Sequence, residues 1–163
     1  PRARVDGATT PLIVTFTAVA AGSDWRYHDR GEDLGDEWRS TEYDDAGWAS
    51  GSAQLGYGDG DEATVVNDGP GSDRYITTYF RTEFEIGSPE EVTAMLLRLV
   101  RDDGAVVYLN GTEVARSNMP DGEIDSRTPA GPAIESFRDV GRLFTFDANR
   151  VSLSGCYCCK ISV

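Results

Sequence analysis

Residues 101–116 read RDDGAVVYLNGTEVAR, and this stretch predicts the fold. Asn110-Gly111 is a strong hairpin signal because both positions tolerate a positive φ. The apolar residues 105–109 before it and residues 113–117 after it therefore form two antiparallel strands. A hairpin with one mostly apolar strand needs a second layer to cover it, so the stretch indicates a β-sandwich or a barrel.

Two adjacent acids, Asp102 and Asp103, precede this hairpin, and two interpretations of them stay open. In the first they form a turn with Gly104, where an aspartate side chain bonds a backbone N–H two residues on. In the second, one of the carboxylates binds a sugar hydroxyl or a calcium ion. Because neighbouring residues of a strand point to opposite faces, we do not expect the two acids to face one substrate as a pair.

The rest of the chain alternates short β-branched and aromatic runs with clusters of Gly, Asp and Pro. This pattern predicts further strands at residues 12–18, 75–86 and 92–100, a weaker strand at 143–146, and one short helix at 41–48. Many short strands separated by frequent turns are typical of sandwiches and barrels. We therefore predict an all-β, antiparallel jelly-roll sandwich with at most one short helix.

Length and charge restrict the protein's class. The 163 residues suit one domain, which we place at residues 1–150. The net charge of −13 repels nucleic acids and anionic membranes. No stretch approaches the roughly 18 consecutive apolar residues of a membrane span. We expect a secreted, extracellular protein whose signal peptide lies outside this chain.

The tail, residues 151–163, carries all three cysteines, Cys156, Cys158 and Cys159. The body of the domain therefore has no disulfide framework and depends on its core. Three origins of the tail stay open: a truncation, a non-native end, or a closing strand with an unusual sequence. Without a closing strand the sheet keeps an open edge, which favours dimerisation.

Several ordered motifs carry a family resemblance: YDDAGW at 43–48, LGYG at 55–58, TYFRTEF at 78–84 and DDGAVVYLNG at 102–111. Over about residues 22–130 the chain resembles the galactose-binding-like jelly-roll modules of secreted bacterial hydrolases and phosphoesterases. It is more distantly similar to the N-terminal sugar-binding domain of family 2 glycoside hydrolases.

The resemblance implies a non-catalytic module of two antiparallel sheets, a structural calcium ion and the catalytic domain of a parent enzyme as partner. It also implies core roles for Trp48, Phe80 and Tyr108, and an acidic partner inside the domain for Arg81.

Carbohydrate modules stack sugars on aromatic rings and fix hydroxyl groups with Asp, Asn and Arg. The candidate residues for binding a carbohydrate or a cell-surface polymer are Trp25, Trp38, Tyr57, Arg74, Tyr75, Asp103 and Asn118. Calcium prefers carboxylate oxygens in Gly-rich loops. The loop GDGDE at 58–62 and the acid before the hairpin supply the candidate ligands Asp59, Asp61, Glu62 and Asp102.

An alternative function is a small hydrolase, either an esterase or a glycosidase. His28 is the single histidine, so a Ser-His-Asp site would have to use it, and no Gly-x-Ser-x-Gly elbow is present. The candidate catalytic residues are then His28 and Asp103. A third alternative is a structural spacer that docks onto a catalytic partner.

Overall fold

The protein is nearly all β. Its structure, a computed structural model, describes residues 14–58, 60–88, 91–92 and 94–132, together with the backbone of two later strands. The strands are β1 Asp24–His28, β2 Ala49–Ser52, β3 Leu55–Gly56, β4 Thr64–Val65, β5 Thr77–Phe84, β6 Met95–Leu97, β7 Gly104–Leu109, β8 Thr112–Ser117, β9 Phe144–Phe146 and β10 Gly155–Ser162. The predicted all-β antiparallel sandwich is confirmed.

One six-stranded sheet organises the molecule, in the order β2-β1-β5-β10-β7-β8, and every neighbouring pair in it is antiparallel. β10 lies between β5 and β7, so residues 155–162 supply a central strand. A strand formed by the tail was one of the three alternatives for it. Because β5 and β7 both run antiparallel to β10, they begin at the same end of the sheet.

The first face of this sheet holds the larger core. Phe80, Val107 and Leu109 point to it and are almost fully buried. The covering layer includes two small sheets, β3 with β4 and β6 with β9. Apolar burial of about 25 cal/mol per Å² stabilises this interface without any disulfide in the body of the domain. The predicted core role of Phe80 is confirmed.

The second face carries an aromatic cluster covered by loops. Trp38 packs edge-on against Tyr79, with ring centroids 4.8 Å apart, and against Tyr108 at 5.7 Å. Trp48 is half-buried and packs against the same cluster. The alternation between Tyr79 and Phe80 therefore places one aromatic ring on each face of β5. The predicted core roles of Trp48 and Tyr108 are confirmed.

The helix predicted at residues 41–48 is wrong. The Asp44 carboxylate accepts a hydrogen bond from the Ala46 N–H at 3.0 Å, and the Asp45 carbonyl accepts one from the Trp48 N–H at 2.9 Å. Aspartate side chains that bond nearby backbone groups favour turns over helices. The described residues instead contain a short 3₁₀ helix at Glu37–Arg39.

The strand predicted at residues 12–18 is also wrong for residues 14–18, which the structure describes. Residues 12 and 13 lie outside the described residues, and residues 14–18 form no strand. Val14 is 77% exposed and Phe16 is 60% exposed, so this apolar run is not a buried strand. The strand predicted at 92–100 is confirmed only for Met95–Leu97. No helix in the described part of the chain is long and apolar enough to cross a membrane.

Candidate functional site

The loops at the end of the sheet where β5 and β7 begin bring several predicted site residues together. The loop after β3 supplies Tyr57, the loop before β5 supplies Asp68 and Arg74, and the bend before β7 supplies Asp102 and Asp103. We call these five residues the Tyr57 cluster. Loops on a rigid sheet are common positions for binding residues.

An arginine that stands over a tyrosine ring is the central feature of the cluster. The Arg74 guanidinium carbon lies 5.2 Å from the centroid of the Tyr57 ring. Arg74 Nη1 lies 2.6 Å from Asp68 Oδ2, and the Arg74 side chain is 55% exposed. The Asp68 carbonyl accepts a hydrogen bond from the Tyr75 N–H at 2.9 Å, which closes the loop. The guanidinium is therefore held in place while its remaining N–H groups face solvent.

Electrostatics connects Tyr57 with the bend before β7. Burial raises the pKa of the Tyr57 hydroxyl, and the carboxylates of Asp68 and Asp102 raise it further, whereas Arg74 lowers it. Asp102 is therefore close enough to act on Tyr57, although the two residues are far apart in the sequence. A protonated phenol stays available as a hydrogen-bond donor.

The two acids of the bend lie side by side, contrary to the expectation that they point apart. Burial raises the pKa of the Asp102 carboxyl, and Asp103 raises it further through its charge and a hydrogen bond between the two side chains. The expectation fails because residues 102 and 103 lie in a bend, and β7 begins only at Gly104. The alternation of a strand does not apply to them.

Buried groups behind the bend hold its backbone. Arg101 is 8% exposed and donates from Nε to Ser117 Oγ at 2.8 Å and from Nη1 to the Asp103 carbonyl at 2.6 Å. Asn118 Nδ2 donates to the same carbonyl at 3.1 Å and to the Pro132 carbonyl at 3.3 Å. The side chain of Asn118, a predicted ligand residue, therefore supports the bend.

Three other predicted ligand residues lie outside the cluster. Trp38 was predicted to bind a carbohydrate, but it is only 3% exposed and belongs to the aromatic core of the second face. Trp25 is half-buried and packs against the core of the first face. The Tyr75 ring packs against Gly31, at a position where any side chain larger than hydrogen would collide with it. Sequence reasoning missed Asp68, which binds Arg74 across the loop.

The two residues predicted as catalytic in a hydrolase, His28 and Asp103, do not form a common site among the described residues. His28 is 6% exposed, its Nε2 lies 3.1 Å from Glu32 Oε2, and its ring packs against Trp48 and Tyr79. No hydrogen bond or ion pair connects His28 with Asp103 within the part of the chain that the structure describes. A general base must reach the proton that it removes, and this histidine is enclosed by aromatic rings.

The predicted calcium ligands do not assemble a site among the described residues. Glu62 Oε2 accepts a hydrogen bond from the Gly60 N–H at 2.9 Å, so it turns back onto its own loop. Across residues 14–132 as described, no three side chains of His, Cys, Asp or Glu converge on one point. Calcium takes about six to eight oxygen ligands. Because Asp59 lies outside the described residues, calcium binding stays a prediction.

Comparison with known proteins finds similarity at the level of structure. No protein-family model and no curated protein sequence matches the chain. One similar structure is a β-glucuronidase from Ruminococcus gnavus in complex with D-glucuronic acid. The match covers 94% of this chain and 23% of the β-glucuronidase chain, at 14% sequence identity and a TM-score of 0.55. A second similar structure is a β-glucuronidase from glycoside hydrolase family 2. This match covers 92% of this chain and 14% of the other chain, at 15% sequence identity and a TM-score of 0.52.

Sequence identities this low show a common fold alone. The chain spans less than a quarter of the length of either matched structure. It therefore shares the fold of a segment of β-glucuronidases, one of which belongs to glycoside hydrolase family 2.

Proposed function

We propose that this chain is a carbohydrate-binding module of the galactose-binding-like type, without catalytic activity of its own, in a larger secreted enzyme. The fold supports this proposal because the same sandwich forms a small part of two long glycosidase chains. A catalytic domain of that enzyme would be the module's partner. The observation that carries the proposal is the exposed Arg74 guanidinium, which is held over Tyr57 beside carboxylates.

The Tyr57 cluster offers the donors and acceptors that sugar hydroxyl groups need. Arg74 supplies fixed N–H donors, and the carboxyl groups of Asp102 and Asp103 supply acceptors. Asp68 holds the guanidinium before any ligand arrives, so less side-chain entropy is lost on binding. Neighbouring hydroxyl groups of a hexose can then bond to a donor and an acceptor together.

The charge of the cluster favours neutral glycans over acidic ones. The Asp68 carboxylate pairs with the Arg74 guanidinium, the charge of Asp102 also acts on Tyr57, and Asp103 lies beside Asp102, while the whole chain has a net charge of −13. A uronic acid or a polyanionic glycan would be repelled by this field. We therefore expect neutral hexose oligosaccharides to bind most tightly.

Calorimetric titration of the protein with neutral and uronic oligosaccharides tests this function. Arg74→Ala should weaken binding about tenfold or more, because hydrogen bonds to charged groups contribute about 1.5–3 kcal/mol. Arg98→Ala, which removes an exposed arginine of the strand region beyond β6, is the matched control and should bind like the original protein. Equal binding by the Arg74 and Arg98 variants, or no binding of any neutral glycan, would contradict the proposal.

A further inference from the structure

The loop that carries Arg74 is held by a second loop at the same end of the sheet. We call residues 67–75 the Arg74 loop and residues 29–35 the clamp loop. The Asp29 carboxylate accepts a hydrogen bond from the Asn67 N–H, with Oδ2 2.7 Å from the nitrogen. Asn67 Nδ2 donates in return to the Asp29 carbonyl at 3.2 Å. This reciprocal pair joins the first residue of one loop to the first residue of the other.

A second contact lies at the other end of the Arg74 loop. The Tyr75 ring packs against Gly31, which has a φ of 67°. A Cβ atom at residue 31 would collide with this ring, so glycine leaves the space that the ring occupies. The clamp loop therefore holds the Arg74 loop at both ends, and the two residues that it contacts flank Asp68 and Arg74.

The Arg74 loop also closes on itself. Asn67 Oδ1 accepts a hydrogen bond from the Gly69 N–H at 3.1 Å, and the Asp68 carbonyl accepts one from the Tyr75 N–H at 2.9 Å. Gly69 has a φ of 102°, and a Cβ atom there would collide with the Asp73 carbonyl oxygen. A loop that is fixed at both ends and bonded inside has few other conformations. The pair of Asp68 and Arg74 is therefore presented in one arrangement.

The clamp loop is itself fixed to the main sheet. It begins directly after β1, whose last residue, His28, is paired with Tyr79 of β5. Nε2 of the buried His28 lies 3.1 Å from Glu32 Oε2, and the Tyr79 hydroxyl is hydrogen-bonded to the Leu34 backbone. Rigid elements therefore determine where Asp29 lies. A binding site is presented most accurately when its supporting residues are fixed in this way.

We propose that Asp29 is a positioning residue for glycan binding: its carboxylate holds the Arg74 loop so that the guanidinium stands over Tyr57 before a ligand arrives. This inference rests on the proposed function for the ligand, but the positioning itself is measurable without one. A hydrogen bond from a backbone N–H to a carboxylate is stronger than one to a neutral acceptor. Without this bond the loop would be ordered only on binding, which weakens the affinity.

Amide hydrogen exchange measured by NMR tests the positioning in the protein without glycan. Asp29→Ala should speed the exchange of the Tyr75 N–H, which bonds to the Asp68 carbonyl, at least about tenfold, which corresponds to roughly 1.4 kcal/mol. Exchange of the core amides of Phe80 and Val107 should stay unchanged, because β5 and β7 keep their neighbouring strands. A merely structural role for Asp29 would speed exchange in the core as well.

Calorimetric titration with neutral oligosaccharides tests the consequence for binding. Asp29→Ala should weaken binding about three- to tenfold, the effect of ordering a loop side chain on binding. Asp29→Asn keeps an oxygen acceptor for the Asn67 N–H and should recover part of this loss. Asp33→Ala is the matched control: it removes the same charge from the clamp loop, but the Asp33 carboxylate accepts its hydrogen bond from Gly35 of that same loop, at 3.0 Å. This variant should bind like the original protein.

Three results would overturn the proposal: unchanged exchange of the Tyr75 N–H in Asp29→Ala, an equal rise of exchange at Tyr75 and in the core, or equal glycan affinity of the Asp29→Ala and Asp33→Ala variants. An original protein that binds no neutral glycan would contradict the proposed function instead. The exchange of the Tyr75 N–H would still decide whether Asp29 holds the Arg74 loop, so the two failures are distinguishable.

Discussion

At the scale of single residues, the pair of Arg81 and Asp45 explains the acidic YDDAGW motif. Arg81 is 1% exposed, and its Nε donates to Asp45 Oδ2 at 2.8 Å. Its Nη1 donates to the carbonyls of Trp38 and Ser40. A buried cation needs such partners because its desolvation is costly. The internal acidic partner expected for Arg81 is therefore confirmed, and it is the second aspartate of the motif.

The substitution Asp45→Ala should lower the free energy of unfolding by about 3–5 kcal/mol, because it leaves the Arg81 cation buried without its counter-charge. Urea denaturation followed by circular dichroism measures this change. Asp44→Ala is the adjacent control. Asp44 is exposed and accepts one hydrogen bond from the Ala46 N–H, so its loss should cost about 1 kcal/mol. Similar losses of unfolding free energy in the two variants would show that the buried ion pair does not account for the destabilisation of Asp45→Ala.

At the scale of elements, the hairpin of β7 and β8 depends on its two-residue turn. Asn110 has φ 50° and Gly111 has φ 79°, the left-handed conformations of a type I′ turn. The right-handed twist of the two strands favours this turn over its mirror image. The hairpin was predictable because the turn chemistry and the two strands are neighbours in the sequence.

The substitution Gly111→Ala should destabilise the protein by about 1–2 kcal/mol, the cost of a left-handed conformation for a residue with a Cβ atom. Space is not the cause, since the new Cβ would meet only the Arg39 carbonyl oxygen, at 3.6 Å. Gly47→Ala is the control because Gly47 has no left-handed φ and no atom near its Cβ position. Thermal unfolding of both variants measures the difference, and equal melting temperatures would contradict this explanation.

Two strands of the main sheet were not predicted. β1 reads DWRYH and β2 reads ASGS, and neither shows a strong apolar pattern. Their pairing makes them strands: β1 bonds to β2 on one side and to β5 on the other. Short polar segments of this kind acquire strand structure from their partners more than from intrinsic preference.

At the scale of the whole molecule, β10 joins the two halves of the sheet. It pairs with β5 over eight residues and with β7 over six. Without it, β2, β1 and β5 would separate from β7 and β8, and two new strand edges would be exposed. The open edges of the described sheet are instead β2 and β8. Dimerisation through an edge stays a prediction.

A chain that ends at residue 154 should therefore fail to fold cooperatively, because it lacks the central strand. Cys159→Pro should have a similar effect, since proline cannot donate a ladder hydrogen bond in a central strand. Cys159→Ser keeps the N–H group and is the control. Circular dichroism and a thermal melt distinguish the outcomes, and a cooperative melt of the shortened chain would contradict the central position of β10.

The sequence alone determined the features that depend on neighbouring residues. The Asn110-Gly111 turn, the two faces of β5 and the all-β class follow from turn chemistry and a two-residue period. Only the tertiary structure decided which distant residues meet. It pairs Asp45 with Arg81, 36 positions apart, brings Arg74 and Asp102 to Tyr57, and inserts β10 between β5 and β7. These contacts depend on the order of strands in the sheet, which local preferences do not specify.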